Sequence, residues 1–265
     1  MSGTPGLRTP KEHGAWDMLY VSFAVGALVA GRASWPVALV LVAATTLFFA
    51  REALRRARRA RRQGRTEPGL GRILAVELGL LVACAVLLLQ RYRMFGLVPL
   101  GLLAALLLAV NLDQAGRHEE RSVGAEILAV LGFAMAAPTA HYAAHGTWHA
   151  AAVWLWGLCV LYFASSVLHV KLLVLGVHPN RRPRHRRMRW MSLLYHLLLL
   201  STLLALVLRS LLPLLTLVAF VPSLTRAAWS LVRRPGKLDL RRVGILEIVY
   251  SLHFLVFTWL AFARA

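Results

Sequence analysis

Trp190-Met-Ser-Leu-Leu-Tyr-His-Leu-Leu-Leu-Leu-Ser-Thr-Leu-Leu-Ala-Leu-Val-Leu208 decides the fold. It holds no Lys, Arg, Asp or Glu, and as a helix rising 1.5 Å per residue it is about 28 Å long. That length matches the hydrocarbon core of a bilayer, about 30 Å. Ile73–Leu89, interrupted only by Glu77, and Leu97–Val110 are further apolar runs. Working outward from them, nine spans are predicted at about 15–31, 36–54, 71–90, 94–112, 122–142, 150–175, 190–209, 211–231 and 243–263. Residues 1–265 read as one integral membrane domain, an all-α polytopic bundle. The composition agrees: 58% of the 265 residues are hydrophobic, where a soluble domain has nearer half. Mean hydropathy is +0.63.

The charge is arranged by side. Of the 31 Lys and Arg, only Arg32, Arg91, Arg93, Arg209 and Arg264 fall in the odd-numbered connections and the C-terminus. The remainder, Arg226 included, count with the N-terminus and the even-numbered connections. This asymmetry puts the N-terminus in the cytoplasm and the C-terminus outside, in a bacterial cytoplasmic membrane. The net charge of +20 then reads as topology and contact with anionic lipid headgroups. Nucleic acid is not the expected partner.

Ionisable residues inside membrane spans are costly and mark function by default. Lys11-Glu12-His13-Gly14-Ala15-Trp16-Asp17 opens the first span with Glu-His, which can share a proton or a ligand, and an interfacial tryptophan. Its structural reading is an anchor with a capping acid. A second group runs from Asn111 through Asp113, Glu119, Glu120 and Arg121 to Glu126. Glu126 lies about one turn inside its helix, where the helix N-terminus favours its charge, and magnesium is a conceivable guest of such carboxylates. Ion pairing is the reading for Arg117, Glu119, Glu120 and Arg121. The third group is Ser165-Ser166…His169-Val-Lys171, with Ser166 and His169 on one helix face. The fourth is Arg241-Arg242-Val-Gly-Ile-Leu-Glu247, where Arg242 and Glu247 are also a candidate structural pair. Glu77, His141, His196 and His253 are scattered, and a bis-His haem is the alternative to hydrogen-bonded core histidines. No Walker loop, Ser-His-Asp arrangement or zinc motif is present, no metal set is assigned, and catalytic residues are unknown. Cys84 and Cys159 sit in apolar runs and read as small core residues.

Pro10-Lys-Glu-His-Gly-Ala-Trp16, Glu120-Arg121-Ser122…Glu126-Ile-Leu-Ala-Val-Leu-Gly…Ala137-Pro138 and Arg242-Val-Gly-Ile-Leu-Glu247 resemble the YwiC-like family of bacterial membrane proteins. That family has no assigned activity. A more distant likeness is to the UbiA prenyltransferase superfamily, through Arg121-Ser-Val-Gly-Ala-Glu126…Phe133…Pro138. It implies nine helices around a cytoplasm-facing cavity. UbiA enzymes hold Mg²⁺ and a prenyl diphosphate on Asp-rich motifs after helices two and six. Here those places read Arg51-Glu52-Ala-Leu-Arg-Arg56 and His169-Val-Lys171, so basic groups stand where acids would.

That reversal implies direct binding of an anionic head by arginine. The candidate cavity residues are Lys11, Glu12, His13, Trp16, Arg51, Arg121, Glu126, His169, Lys171, Arg242 and Glu247. Three functions are carried forward. The first is a binder or carrier of an anionic amphiphile, whether lipid, quinone precursor or isoprenoid. The second is a divergent prenyl or lipid-head transferase. The third is a structural or regulatory membrane partner acting through the basic Arg51–Arg65 stretch. For the topology, alkaline phosphatase fused after Ala265 is expected to be active and a green fluorescent protein at the same position dark. The opposite pair of signals requires an even number of spans.

Overall fold

The computed structural model describes residues 13–64, 69–116, 122–177, 182–232 and 239–263. Among these, the regular structure is helical: α1 (His13–Ala30), α2 (Trp35–Arg62), α3 (Leu70–Val86) with a π-turn at Leu87–Arg91, α4 (Leu97–Gly116), α5 (Val123–Ala134), α6 (Ala136–His145), α7 (Ala150–Gly176), α8 (Arg182–Leu208), α9 (Leu215–Val232) and α10 (Leu240–Ala263). Eight spans, counting α5 and α6 as one, are long and apolar enough to cross a membrane, and the apolar run of α1, Gly14–Ala30, is shorter. The chain is a multi-pass membrane protein. Its exposed faces say the same. Leu102, Leu106, Val76, Leu194 and Leu208 stand well out of the bundle, as side chains do when lipid is the solvent. Trp35 and Trp148 are exposed at one set of helix ends, and Trp190 and Trp229 at the other, where indoles suit the two membrane interfaces.

Two helices organise the packing. α7 touches α5, α6, α8, α9 and α10, and α1 lies against α6, α10, α5 and α7. Between them is the larger core, where Tyr162 stacks on Phe254 at 4.2 Å and Phe220 meets Phe254 edge-on at 5.4 Å. A second core joins α1, α2 and α6 through Leu19, Phe48 and Tyr142.

The predicted fifth span is broken into α5 and α6 at Met135. Pro138, three residues on, has no N–H to return to the preceding turn, and Thr139 Oγ1 donates to the Met135 carbonyl at 2.7 Å. The break brings the α6 backbone against α1, where a Cβ on Gly26 would lie 2.0 Å from the Ala137 carbonyl oxygen. Two other expected boundaries shift. α4 starts at Leu97 rather than 94, because 92–96 forms a turn with Arg93 at φ 53. The seventh and eighth spans are parted by 209–214, with Ser210 at φ 57, instead of by the very short turn expected at Arg209–Leu211.

α3 and α4 are peripheral. α3 leans on α2, and α4 on α5, α2 and α6, but α3 and α4 are not packed along one another among the described residues. Their connection is tied to α6. Gly96 N donates to Tyr142 Oη at 3.1 Å, and a Cβ there would meet the Tyr142 ring at 2.5 Å. Gly26→Ala is expected to cost about 1–3 kcal/mol by overpacking and to lower the thermal midpoint in detergent. Gly101→Ala, where an added Cβ meets nothing within 4 Å, is expected to melt like the parent. Equal midpoints for the two variants would contradict this packing.

Candidate functional site: a lipid-facing cavity and a buried ionic cluster

Cross-helix contacts bring one set of helix ends together. Arg51, eleven residues before the end of α2, reaches Asn111 near the end of α4, with Nη2 and Nε donating to Asn111 Oδ1 at 2.9 and 3.2 Å. Asn111 Nδ2 donates at 3.4 Å to the carbonyl of Ala125, at the start of α5. Next along α5, Glu126 pairs with Lys171 of α7 at 3.0 Å. Arg189 at the start of α8 donates to the Leu231 carbonyl at the end of α9 at 2.8 Å. Asp17 of α1 accepts from Ser251 of α10 at 2.6 Å. These contacts define the basic end of the bundle.

From this end a cavity of about 440 Å³ runs between α2, α3, α4 and the broken α5–α6 span. α4 explains it. Leu97, Gly101, Ala104, Leu108 and Asn111 follow the three-and-four spacing of one helix face, and all five line the cavity. The middle of that face carries only a hydrogen and a methyl group, so it does not fill the space before α2 and α3. The walls are otherwise aliphatic and aromatic: Leu47 and Phe48 of α2, Leu81 and Leu88 of α3, Phe133 of α5. Arg51 and Asn111 stand at the basic end, and Thr139, whose hydroxyl is turned to Met135, at the other. No Asp or Glu is among the described lining residues. Arg51 also sits over the Phe133 ring at 5.1 Å, a cation–π contact that fixes the guanidinium beside the apolar chamber.

A second polar arrangement lies deeper, among α1, α7, α9 and α10. Arg226 of α9 has a side chain only 5% exposed and pairs with Glu247 of α10. Ser166 of α7 donates to the same carboxylate. The guanidinium lies 5.9 Å from the Tyr162 ring centre and 5.5 Å from that of Tyr250. Tyr162, Ser166 and His169 repeat at four and three residues, so one stripe of α7 faces this pair. Asp17 adds a second carboxylate within electrostatic reach of Glu247 and Arg226, and His169 lies within reach of Arg226 and His196. Burial leaves this assembly little choice. A guanidinium without a partner in the low-dielectric interior is expensive, and a close carboxylate is the compensation available.

The residues singled out from sequence therefore separate. Arg51 lines the cavity. Trp16 packs edge-on against Phe48, itself part of the wall, at 4.7 Å. Glu126 and Lys171 pair one residue away from the Ala125 carbonyl that holds Asn111. His169 and Glu247 belong to the buried cluster and are not among the lining residues of the cavity, so one common cavity for all candidates is not what the structure forms. Arg242 is exposed, and the partner of Glu247 is Arg226, not Arg242. Lys11, Glu12 and Arg121, and the side chain of His13, lie outside the described residues, as do Arg117, Glu119 and Glu120. The scattered histidines are engaged separately: His196 with Ser165 at 2.9 Å and Ser192, His253 with the Val218 carbonyl at 3.0 Å. His141 sits near the opposite end, stacked with His145 at 4.7 Å. Among the described residues no three His, Cys, Asp or Glu are grouped to hold a metal ion.

Sequence reading missed Arg226, which it counted with a basic connection. The available signal was a lone arginine six residues inside the apolar α9, with no acid in that helix. Asn111 and Asp17 were noticed without a role. Their partners, Arg51 and Ser251, are 60 and 234 residues away.

A helical membrane bundle with an apolar side cavity and an ionic core is the class these features define. The chain belongs to the YwiC-like protein family, whose match covers residues 9–141, just over half of its length. It is also 26% identical over 165 residues to a Haemophilus influenzae protein described as uncharacterized. That alignment covers 62% of this chain and 60% of the relative. No solved structure matches the chain.

Arg226→Met is expected to cost about 3–5 kcal/mol, because Glu247 is left buried without its partner. The double variant Arg226→Met/Glu247→Met removes both charges and is expected to recover much of that loss. Thermal unfolding of the detergent-solubilised protein reads both effects. Single variants as stable as the parent would show that the pair is not required.

Proposed function

We propose that the protein binds an anionic amphiphile and carries it within the bacterial cytoplasmic membrane, with the acidic head at Arg51 and the apolar tail in the cavity. The N-terminus and the basic end then face the cytoplasm, in keeping with the one-sided distribution of Lys and Arg. The observation that carries the reading is an arginine at the end of an apolar cavity whose described lining includes no acid. Ligand sites of this kind are largely apolar, with a few polar groups that set orientation. A guanidinium matches a carboxylate or phosphate by paired hydrogen bonds. Asn111, which accepts from Arg51 and donates to Ala125, supports the orientation of that guanidinium. The distinction from a magnesium-dependent transferase follows from the same composition, since ionising a diphosphate on a metal requires carboxylates where this cavity has Arg51 and Asn111.

The test is mass spectrometry of small molecules retained by protein purified in mild detergent. The parent is expected to retain a specific acidic amphiphile. Arg51→Gln, which loses a hydrogen bond to a charged group of about 1.5–3 kcal/mol, is expected to retain roughly tenfold to a hundredfold less. Ala104→Phe, which fills the middle of the cavity, is expected to retain none. Bulk phospholipid alone, equal in all three samples, would contradict the reading.

A further inference from the structure

The length of the cavity restricts the ligand further, and this step rests on the reading just given. From Asn111 to Leu97, both of which line the cavity, fourteen residues of α4 span about 21 Å at 1.5 Å each. One leaflet contributes about half of a 30 Å hydrocarbon core. A tail that starts at Arg51 and fills the cavity therefore passes the bilayer midplane. Among the described lining residues the acidic group has one station, Arg51 with Asn111, and a tail meets no other polar side chain until Thr139, already turned to Met135.

We propose that the ligand is an acidic amphiphile with a tail longer than one leaflet, such as a long-chain fatty acid or an isoprenoid with a compact carboxylate or phosphate. It lies along α4 with its far end beside Leu97 and Met135, and it enters from the bilayer between α3 and α4. The lateral route follows from the packing. Among the described residues α3 packs on α2, and α4 on α5, α2 and α6, rather than along one another. Gly96 on Tyr142 holds the hairpin at one end and Asn111, between Arg51 and Ala125, holds α4 at the other, which leaves the side between α3 and α4 as the open one. A tail already in lipid gains little hydrophobic free energy on entering an apolar cavity, so selection rests on fit and on the head.

Two photoreactive long-chain fatty acids test the placement, one with a diazirine next to the carboxylate and one with it at the tail tip. Each is supplied in vesicles to the full-length protein, and labelled peptides are mapped by mass spectrometry. The first is expected to label around Leu47, Arg51 and Leu108, and the second around Leu97 and Met135. Gly101→Phe is expected to remove tail-tip labelling at Leu97 and Met135 while head labelling persists, and Ala104→Phe serves as the second variant if Gly101→Phe does not fold. Both probes labelling the same residues, or the tail tip marking outward residues such as Val76 and Leu106, would overturn the inference and leave the anionic-head reading standing. No cavity labelling by either probe, together with no retained acidic amphiphile, would remove both.

Discussion

Arg226 is a charge held inside an apolar bundle, and the arrangement of four helices depends on how that charge is compensated. Its side chain is almost fully buried against Glu247, with Ser166 on the same carboxylate and two tyrosine rings beside the guanidinium. Membrane interiors supply no hydrophobic drive between helices, so association rests on packing and on polar contacts that lipid cannot make. The ion pair fixes α9 against α10, the serine ties α7 to both, and Asp17 with Ser251 joins α1 to α10. The aromatic stack of Tyr162, Phe220 and Phe254 fills the space below these contacts. A closed ionic core of this kind suits a part of the molecule that stays still.

The other half of the bundle is built on the opposite principle. α2, α3 and α4 are joined by few polar contacts, and the face of α4 towards the centre is thinned by Gly101 and Ala104. Close packing is therefore absent where the amphiphile is placed. The tight contact of α1 with α6 at Gly26 and Ala137 anchors the inner wall. The two halves meet along α5 and α7, where Glu126 and Lys171 pair near the Arg51–Asn111 contact. Rigid core and loose periphery are the division expected of a binder that must admit a tail from the side.

The helices were legible from sequence because the physical signal is strong: long uncharged runs such as Trp190–Leu208 have no other stable disposition in lipid. The break at Met135 was less so, since Pro138 marks a disturbance without saying how the chain resumes. Arg51 was legible as a candidate through its unusual basic setting, and the structure places it in the cavity wall. Arg226 was not, because an arginine near the end of an apolar helix is ordinarily read with the adjoining basic loop. Asn111 illustrates the general obstacle. Its role depends on Arg51, 60 residues away, and single-sequence patterns carry no information on such pairs. The cavity was hidden for the same reason, being a gap between helices whose small residues look like ordinary packing positions. Part of the expected site, Lys11, Glu12 and Arg121 among it, falls outside the described residues.

The central claim is that the space between α2, α3 and α4 holds one acidic amphiphile, with its head at Arg51. A cryo-EM map of the protein extracted into native-lipid nanodiscs tests it most directly. The account calls for rod-like density along α4, continuous from Arg51 to Leu97, with α3 and α4 held apart by it. A map in which α3 closes against α4, or in which the space holds only paired tails with heads away from Arg51, would contradict it.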